Sequence, residues 1–191
     1  MKKLLISGVF VLLVISAYTQ NYNSVRRMEY EVGIGVNKAH KINEAVAKAG
    51  LQLYLETRMN IIDTPFDIGV QALFGSFDRK PDYALYEHTI RYRGTLVFLT
   101  DYNLRKWKRV QPFVGLGLGM SFVDDTHSRY EPDMSRRMEQ TSYDRSFVFN
   151  PRIGVELFSH IRVTAEYKWM KKDYSYFGFN LGFVFGGGLR R

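Results

Sequence analysis

From about residue 28 onward, large apolar residues fall on every second position in eight successive stretches of the chain. Alternate side chains of a strand point to opposite faces, so each stretch predicts a strand with one apolar face. The last stretch is the clearest. Phe177, Phe179, Leu181, Phe183 and Phe185 alternate with Gly178, Asn180, Gly182 and Val184. The fifth is as regular, with Val114, Leu116, Leu118, Met120 and Phe122 set against Gly115, Gly117, Gly119 and Ser121. The first runs near Met28–Asn37, the second near Ala47–Arg58, and the third carries Phe66, Ile68, Val70, Ala72 and Phe74 on one face. The sixth places Phe147, Phe149, Ile153, Val155 and Leu157 opposite Asn150, Arg152, Gly154 and Glu156, and the seventh turns Ile161 to Trp169 away from Arg162 to Lys168. The fourth, near Thr89–Asp101, is the least regular: Ile90, Tyr92, Leu96 and Phe98 oppose Arg91, Arg93, Thr95 and Val97, but Leu99 continues the apolar character on the second face.

Each stretch spans roughly 9–13 residues, which matches a tilted membrane-crossing strand and exceeds the ~5–6 of soluble sheets. The connections alternate too. Those after the first, third and fifth stretches are long and polar, the last covering about Val123–Arg145, whereas Met59–Thr64, Tyr102–Arg109 and Ser159–His160 are mostly shorter. Long loops on one rim and short turns on the other are the asymmetry of an outer-membrane barrel. The expected fold is therefore all-β, an eight-stranded antiparallel up-and-down transmembrane β-barrel. Pro151 lies within a strand and lacks an N–H for the ladder, so a bulge is expected there.

The second face settles which way the apolar face points. It carries Glu31, Glu56, Asp67, Glu156 and Glu166 against Arg91, Arg93, Arg152, Arg162 and Lys168, five acids to five bases. That balance predicts a filled lumen with a charge network, since unpaired buried charges are costly. Gly33, Gly50, Gly69, Gly115, Gly117, Gly154 and Gly182 share the phase and make room for the long side chains. Turned inward instead, the Phe, Leu, Ile and Val of eight strands would overfill an interior of this size. Tyr30, Phe66, Phe122, Phe147, Trp169 and Phe185 then fall near strand ends, where interfacial aromatics sit.

The N-terminus adds an address. Lys2 and Lys3 precede an apolar run from Leu4 to Ile15, and Ala17-Tyr18-Thr19 offers small residues at the cleavage positions. Residues 1–19 thus read as a signal peptide, 20–27 as a short periplasmic N-terminal segment, 28–185 as the barrel and 186–191 as a periplasmic Gly/Arg tail. With no cysteine in 191 residues, disulfide and thiolate chemistry are excluded. The formal charge of +8 falls to +6 once Lys2 and Lys3 are removed. The excess gathers on the short-turn rim, where Arg105, Lys106, Lys108 and Arg109 form a basic collar suited to anionic headgroups, with Arg26, Arg27, Arg190 and Arg191 beside them. No nucleotide loop, zinc spacing or nucleic-acid motif accompanies that charge, so no nucleic-acid partner, metal or cofactor is expected.

In Arg109-Val-Gln-Pro-Phe-Val-Gly-Leu-Gly-Leu-Gly119, Pro151-Arg-Ile-Gly-Val-Glu156, Ala165-Glu-Tyr-Lys168 and the closing Phe183-Val-Phe-Gly-Gly-Gly188 with Arg190 and Arg191, the chain resembles the small outer-membrane β-barrels related to OmpA and OmpX, of the kind common in Bacteroidetes. The resemblance covers essentially residues 20–191. It implies location in the cell outer membrane, contact with outer-membrane lipids, and insertion by the barrel-assembly machinery with Phe185 as the terminal aromatic signal. The outer loops are expected to meet the environment, host surfaces or other cells, and are the place for an unknown extracellular ligand. The expected function is a non-catalytic structural or adhesin-like surface barrel. The alternative is an outer-leaflet lipid A-modifying enzyme, for which Asp124, Asp125, His127 and Ser128 supply residue types on the longest loop and Ser159-His160 on a short turn. A general base also needs reach and orientation, which a polar loop does not supply, so no catalytic residue is expected.

Overall fold

The period-two pattern closes on itself in the computed structural model, which describes residues 27–39, 49–62, 64–79, 86–104, 109–130, 137–171 and 174–186. Strands β1 (Met28–Ala39), β2 (Ala49–Asn60), β3 (Phe66–Arg79), β4 (Tyr86–Asn103), β5 (Val110–Tyr130), β6 (Arg137–Leu157), β7 (Ile161–Lys168) and β8 (Tyr176–Phe185) pair with their sequence neighbours, and β8 returns to β1. Every pairing is antiparallel. Closure removes free edges, so the backbone polar groups of the wall are satisfied within the wall. The signal peptide, the N-terminal segment before Arg27, Arg105, Lys106, Lys108 and the tail beyond Gly186 lie outside the described residues.

Apolar side chains point outward all round. Ile34, Leu51, Phe98, Leu118, Ile153 and Phe179 are 53–74% exposed. An apolar surface of that extent is stable only against a nonaqueous phase, and a band about 25 Å tall is the lipid-facing wall of such barrels. Aromatics edge it at both ends: Tyr30, Phe66 and Phe185 at one, Phe122, Phe147 and Trp169 at the other, all exposed.

The two rims differ. At the turn rim, which holds both chain ends, β6 and β7 are joined by Phe158-Ser159-His160, with the His160 N–H donating to Leu157 O at 3.1 Å. Phe158 and Ser159 both take positive φ, 53° and 59°. Two consecutive left-handed residues make the hairpin turn whose twist matches the strands, although neither side chain favours that region. At the opposite, ribbon rim, β5 and β6, strands of 21 residues each, run on past the apolar belt as a ribbon that β4 joins in register as far as Tyr86↔Arg129. The segment read from sequence as a long loop at Val123–Arg145 is largely strand, in register from Val123↔Asp144 to Tyr130↔Arg137. Loop polarity and strand geometry coexist because the ladder satisfies the backbone while, past the belt, no lipid demands an apolar outer face.

Two expectations about irregularity are corrected. Pro151 makes no bulge. The β6–β7 ladder runs through Arg152↔Glu166, lapses, and resumes at the Phe149↔Trp169 bridge without slipping. The missing N–H costs a rung and leaves the register intact. The bulge lies in β4 instead, where both neighbouring ladders shift around Arg93 and Gly94. One extra residue reverses the phase of a strand. Thr95, Val97, Leu99 and Asp101 point inward below the bulge, and Tyr92 and Ile90 above it. That reversal is why the fourth stretch looked irregular.

Candidate functional site

Small residues in the wall open the space that the interior fills. Tyr54 stands opposite Gly33, and Asp101 and Arg152 stand either side of Gly115. A Cβ at Gly33 would strike the Tyr54 ring, and one at Gly115 would strike the Asp101 carboxylate.

The turn-rim half of the lumen is ionic. Arg152 donates to Glu56 through both terminal nitrogens, at 2.7 and 2.8 Å, and to Asp101 through Nε at 2.9 Å and Nη2 at 2.6 Å. This planar fork between two carboxylates is the strongest arrangement a guanidinium makes. Arg162 bonds Asp101, approaches Glu156 at 3.5 Å and lies over the Phe113 ring at 3.5 Å from its centroid. Arg58 reaches Glu29 at 3.1 Å, Glu31 at 3.4 Å and Glu156 at 3.5 Å. Higher up, Lys168 donates to Glu166 at 2.8 Å and to Gln71 at 3.0 Å. All of these charged side chains are buried.

Of the ten residues assigned to this network from sequence, Glu31, Glu56, Asp67, Arg152, Glu156, Arg162, Glu166 and Lys168 are inside. Arg91 and Arg93 are not: the β4 bulge turns both outward. Glu29, Arg58 and Asp101 belong to the interior and were left out of the assigned set, although each is one or more steps of two along its strand from a recognised inward position. The expected balance of five to five is corrected as well. Among the described residues, seven buried carboxylates face four buried cations. Neutral donors take up the difference: Tyr54 to Glu31 at 2.5 Å, Gln71 to Glu56 at 3.0 Å, Asn150 and Gln52 to Glu166 at 3.1 and 3.2 Å, and Asn103 to Asp67 at 2.6 Å.

The ribbon-rim half is apolar. Phe77, Tyr92 and Tyr176 meet with ring centroids 5.1–6.3 Å apart, amid Ile90, Val97, Leu99, Val123, Val148 and Met170. The Tyr92 hydroxyl donates to Tyr174 O at 2.7 Å, which ties the β7–β8 connection across the barrel mouth. The phase reversal in β4 hid Tyr92 from a reading that carried one phase along the strand.

Above the plug the ribbon is held by polar contacts. Lys171 grips both Asp144 oxygens at 2.7 Å, and this bond, with the Arg145 N–H, holds the Asp144 carboxyl below its usual range. Burial and the nearby Asp125 and Asp144 carboxylates push the Tyr174 hydroxyl up to about 12. His127 and Asp125 stand 3.4 Å apart, two residues apart on one face of β5, whereas Ser128 belongs to the other face. Asp124 pairs with Arg93 at 2.8 Å. Ser159 and His160 are at the opposite rim, where the His160 ring contacts Phe158 O at 2.7 Å. These residue types do not converge as nucleophile, base and orienting acid. Phe185 faces outward, paired in register with Tyr30, and Arg109 is exposed at the turn rim.

A closed eight-stranded wall, apolar outside and filled inside, with short turns at one end and extended ribbons at the other, defines the fold of the small outer-membrane β-barrels. The chain is similar to several solved structures. Neisserial surface protein A superposes with a TM-score of 0.51 at 11% identity, over 84% of this chain and 96% of that one. Ail, the attachment invasion locus protein of Yersinia pestis, gives 0.49 at 15% identity, over 85% and 99%. The N-terminal β-barrel domain of Pseudomonas aeruginosa OprF gives 0.42 at 10% identity, over 85% and 100%. No protein-family model and no curated protein matches the chain.

Proposed function

We propose that the protein is a non-catalytic, non-conducting barrel of the outer membrane that meets its surroundings through the β5–β6 ribbon and the neighbouring hairpin ends. The observation that carries this reading is the filling of the lumen from rim to rim. Among the described residues, ionic side chains occupy one half and packed rings the other, and that packing supports a lumen without an aqueous path or substrate cavity along the axis. The fold shared with a Neisserial surface protein supports it. On this reading the ribbon rim is extracellular, the turn rim is periplasmic, and Phe185 at the end of β8 is the aromatic read during insertion.

Three measurements test it. The purified protein should migrate faster on gels before boiling than after, and should carry no steady current in planar bilayers. Cells displaying it should adhere to host-cell surfaces or to other cells more than cells lacking it, and shortening the ribbon between Asp124 and Asp144 should abolish adherence while leaving the gel shift intact. Equal adherence of the trimmed protein would overturn the interaction reading. A gain or loss of an acyl chain on lipid A in expressing cells would overturn the non-catalytic one.

A further inference from the structure

The β4 bulge does more than fill the mouth of the barrel. By turning Arg91 and Arg93 outward, it sets two guanidinium groups on the lipid side of the wall where its apolar belt ends. Below them on β4 the outward residues are Leu96 and Phe98, and the β5 belt ends at Phe122. Arg93 is anchored, by Asp124 at 2.8 Å and by the Tyr143 ring at 5.1 Å. Arg91 is exposed and has no hydrogen bond or ion pair among the described residues.

These arginines stand at one end of a groove of about 1020 Å³ on the outer wall. Its sides are Ile34, Val36, Leu51, Leu53, Phe74 and Phe179. Phe179, Val36, Leu51, Ser76 and Arg91 are register partners on five adjacent strands, so the groove follows one row of the sheet. Strands in such walls tilt by ~35–45°, so a row across them runs obliquely through the apolar belt. Apolar side chains for most of the length and a pair of cations at one end match an acylated molecule with an anionic head. A guanidinium fork suits phosphate oxygens.

We propose that this groove binds a phosphate-bearing, multiply acylated lipid of the outer leaflet, with its phosphate on Arg91 and Arg93 and its chains along Ile34, Leu51 and Phe74. The assignment rests on the reading that the ribbon rim is extracellular. Arg93 supplies a fixed charge already oriented by Asp124 and Tyr143, and Arg91 supplies one free to close on the ligand.

Native mass spectrometry of the full chain in detergent, titrated with lipid A carrying both phosphates, reads the retained lipid directly. The intact protein should retain it at least about tenfold better than dephosphorylated lipid A or phosphatidylcholine, and Arg91→Gln with Arg93→Gln should remove that preference. Leu51→Asn should weaken retention of both lipid A forms alike. Millimolar inorganic phosphate should not displace the lipid, since the groove supplies the rest of the affinity; displacement would mean a bare anion site and overturn the proposal. Equal retention of the phosphorylated and dephosphorylated forms, or an unchanged preference in the double variant, would also overturn it. The gel shift on boiling is scored for every variant. Its absence in the intact protein would fail the barrel reading itself, whereas its presence without lipid preference fails only the groove.

Discussion

On the turn-rim side of Gln52 and Asn150, Arg58, Arg152, Arg162 and Lys168 are held among seven carboxylates, whereas on the ribbon-rim side Phe77, Tyr92 and Tyr176 pack ring against ring. The same wall encloses both halves, yet they are filled by opposite means. In the ionic half each group needs a partner at a set distance and angle, because an unpaired charge in low dielectric is costly. In the apolar half the requirement is volume, and a somewhat smaller ring or a rotated side chain is tolerated. One half therefore enforces strand register and the other closes the mouth.

Removing a central cation is the strongest way to break this contrast. Arg152→Leu strands Glu56 and Asp101 in the lumen and should cost about 3–5 kcal/mol in denaturant unfolding from detergent or vesicles. Arg152→Lys should recover only part of that, since an ammonium cannot fork between two carboxylates. A loss below about 1 kcal/mol would mean that water reaches the network.

Phe77→Ala in the plug should cost about 3 kcal/mol, but Phe77→Leu less than about 1.5 kcal/mol, by the same measurement. A conservative change that proved as damaging as truncation would erase the difference between the halves. Lys168→Met alone should destabilise by about 3 kcal/mol, while Lys168→Met combined with Glu166→Gln should return to within about 1 kcal/mol of the parent. The double variant separates the need for pairing from the need for charge.

Outside both halves, Ser159→Gly should raise stability by about 1 kcal/mol, because it relieves a left-handed residue in the β6–β7 turn. The smallest effect belongs to Asp144. Its carboxyl is held below the ordinary value of 3.8, so the Lys171 contact contributes above that value and is lost as pH falls through the lowered one. Hydrogen exchange in the ribbon should accelerate only in that acid range, with the lumen amides unaffected.

The alternation of Val114–Phe122 and Phe177–Phe185 is legible in the sequence because each residue's face depends only on its parity along the strand. Arg152, Arg162, Glu56 and Glu166 were legible as inward for the same reason. Arg91 and Arg93 were misplaced because a bulge adds one to the count, and no residue near Gly94 announces whether its glycine marks a bulge or merely a small wall position. Pro151 was the more conspicuous irregularity in sequence, yet its effect was confined to one rung. The outer groove was not legible at all, since it joins residues of β8, β1, β2, β3 and β4 that are distant in the chain.

Parity and strand length alone determined the number of strands, the apolar exterior, the glycine-lined interior and most of its charged residues, because these are local properties of an extended backbone. Only the closed barrel decided which carboxylate meets which guanidinium, where Arg91 and Arg93 point, and that the lumen divides into an ionic and an aromatic half. Partner choice across the lumen depends on the stagger of all eight strands at once, and a single inserted residue in one of them changes what every residue beyond it faces.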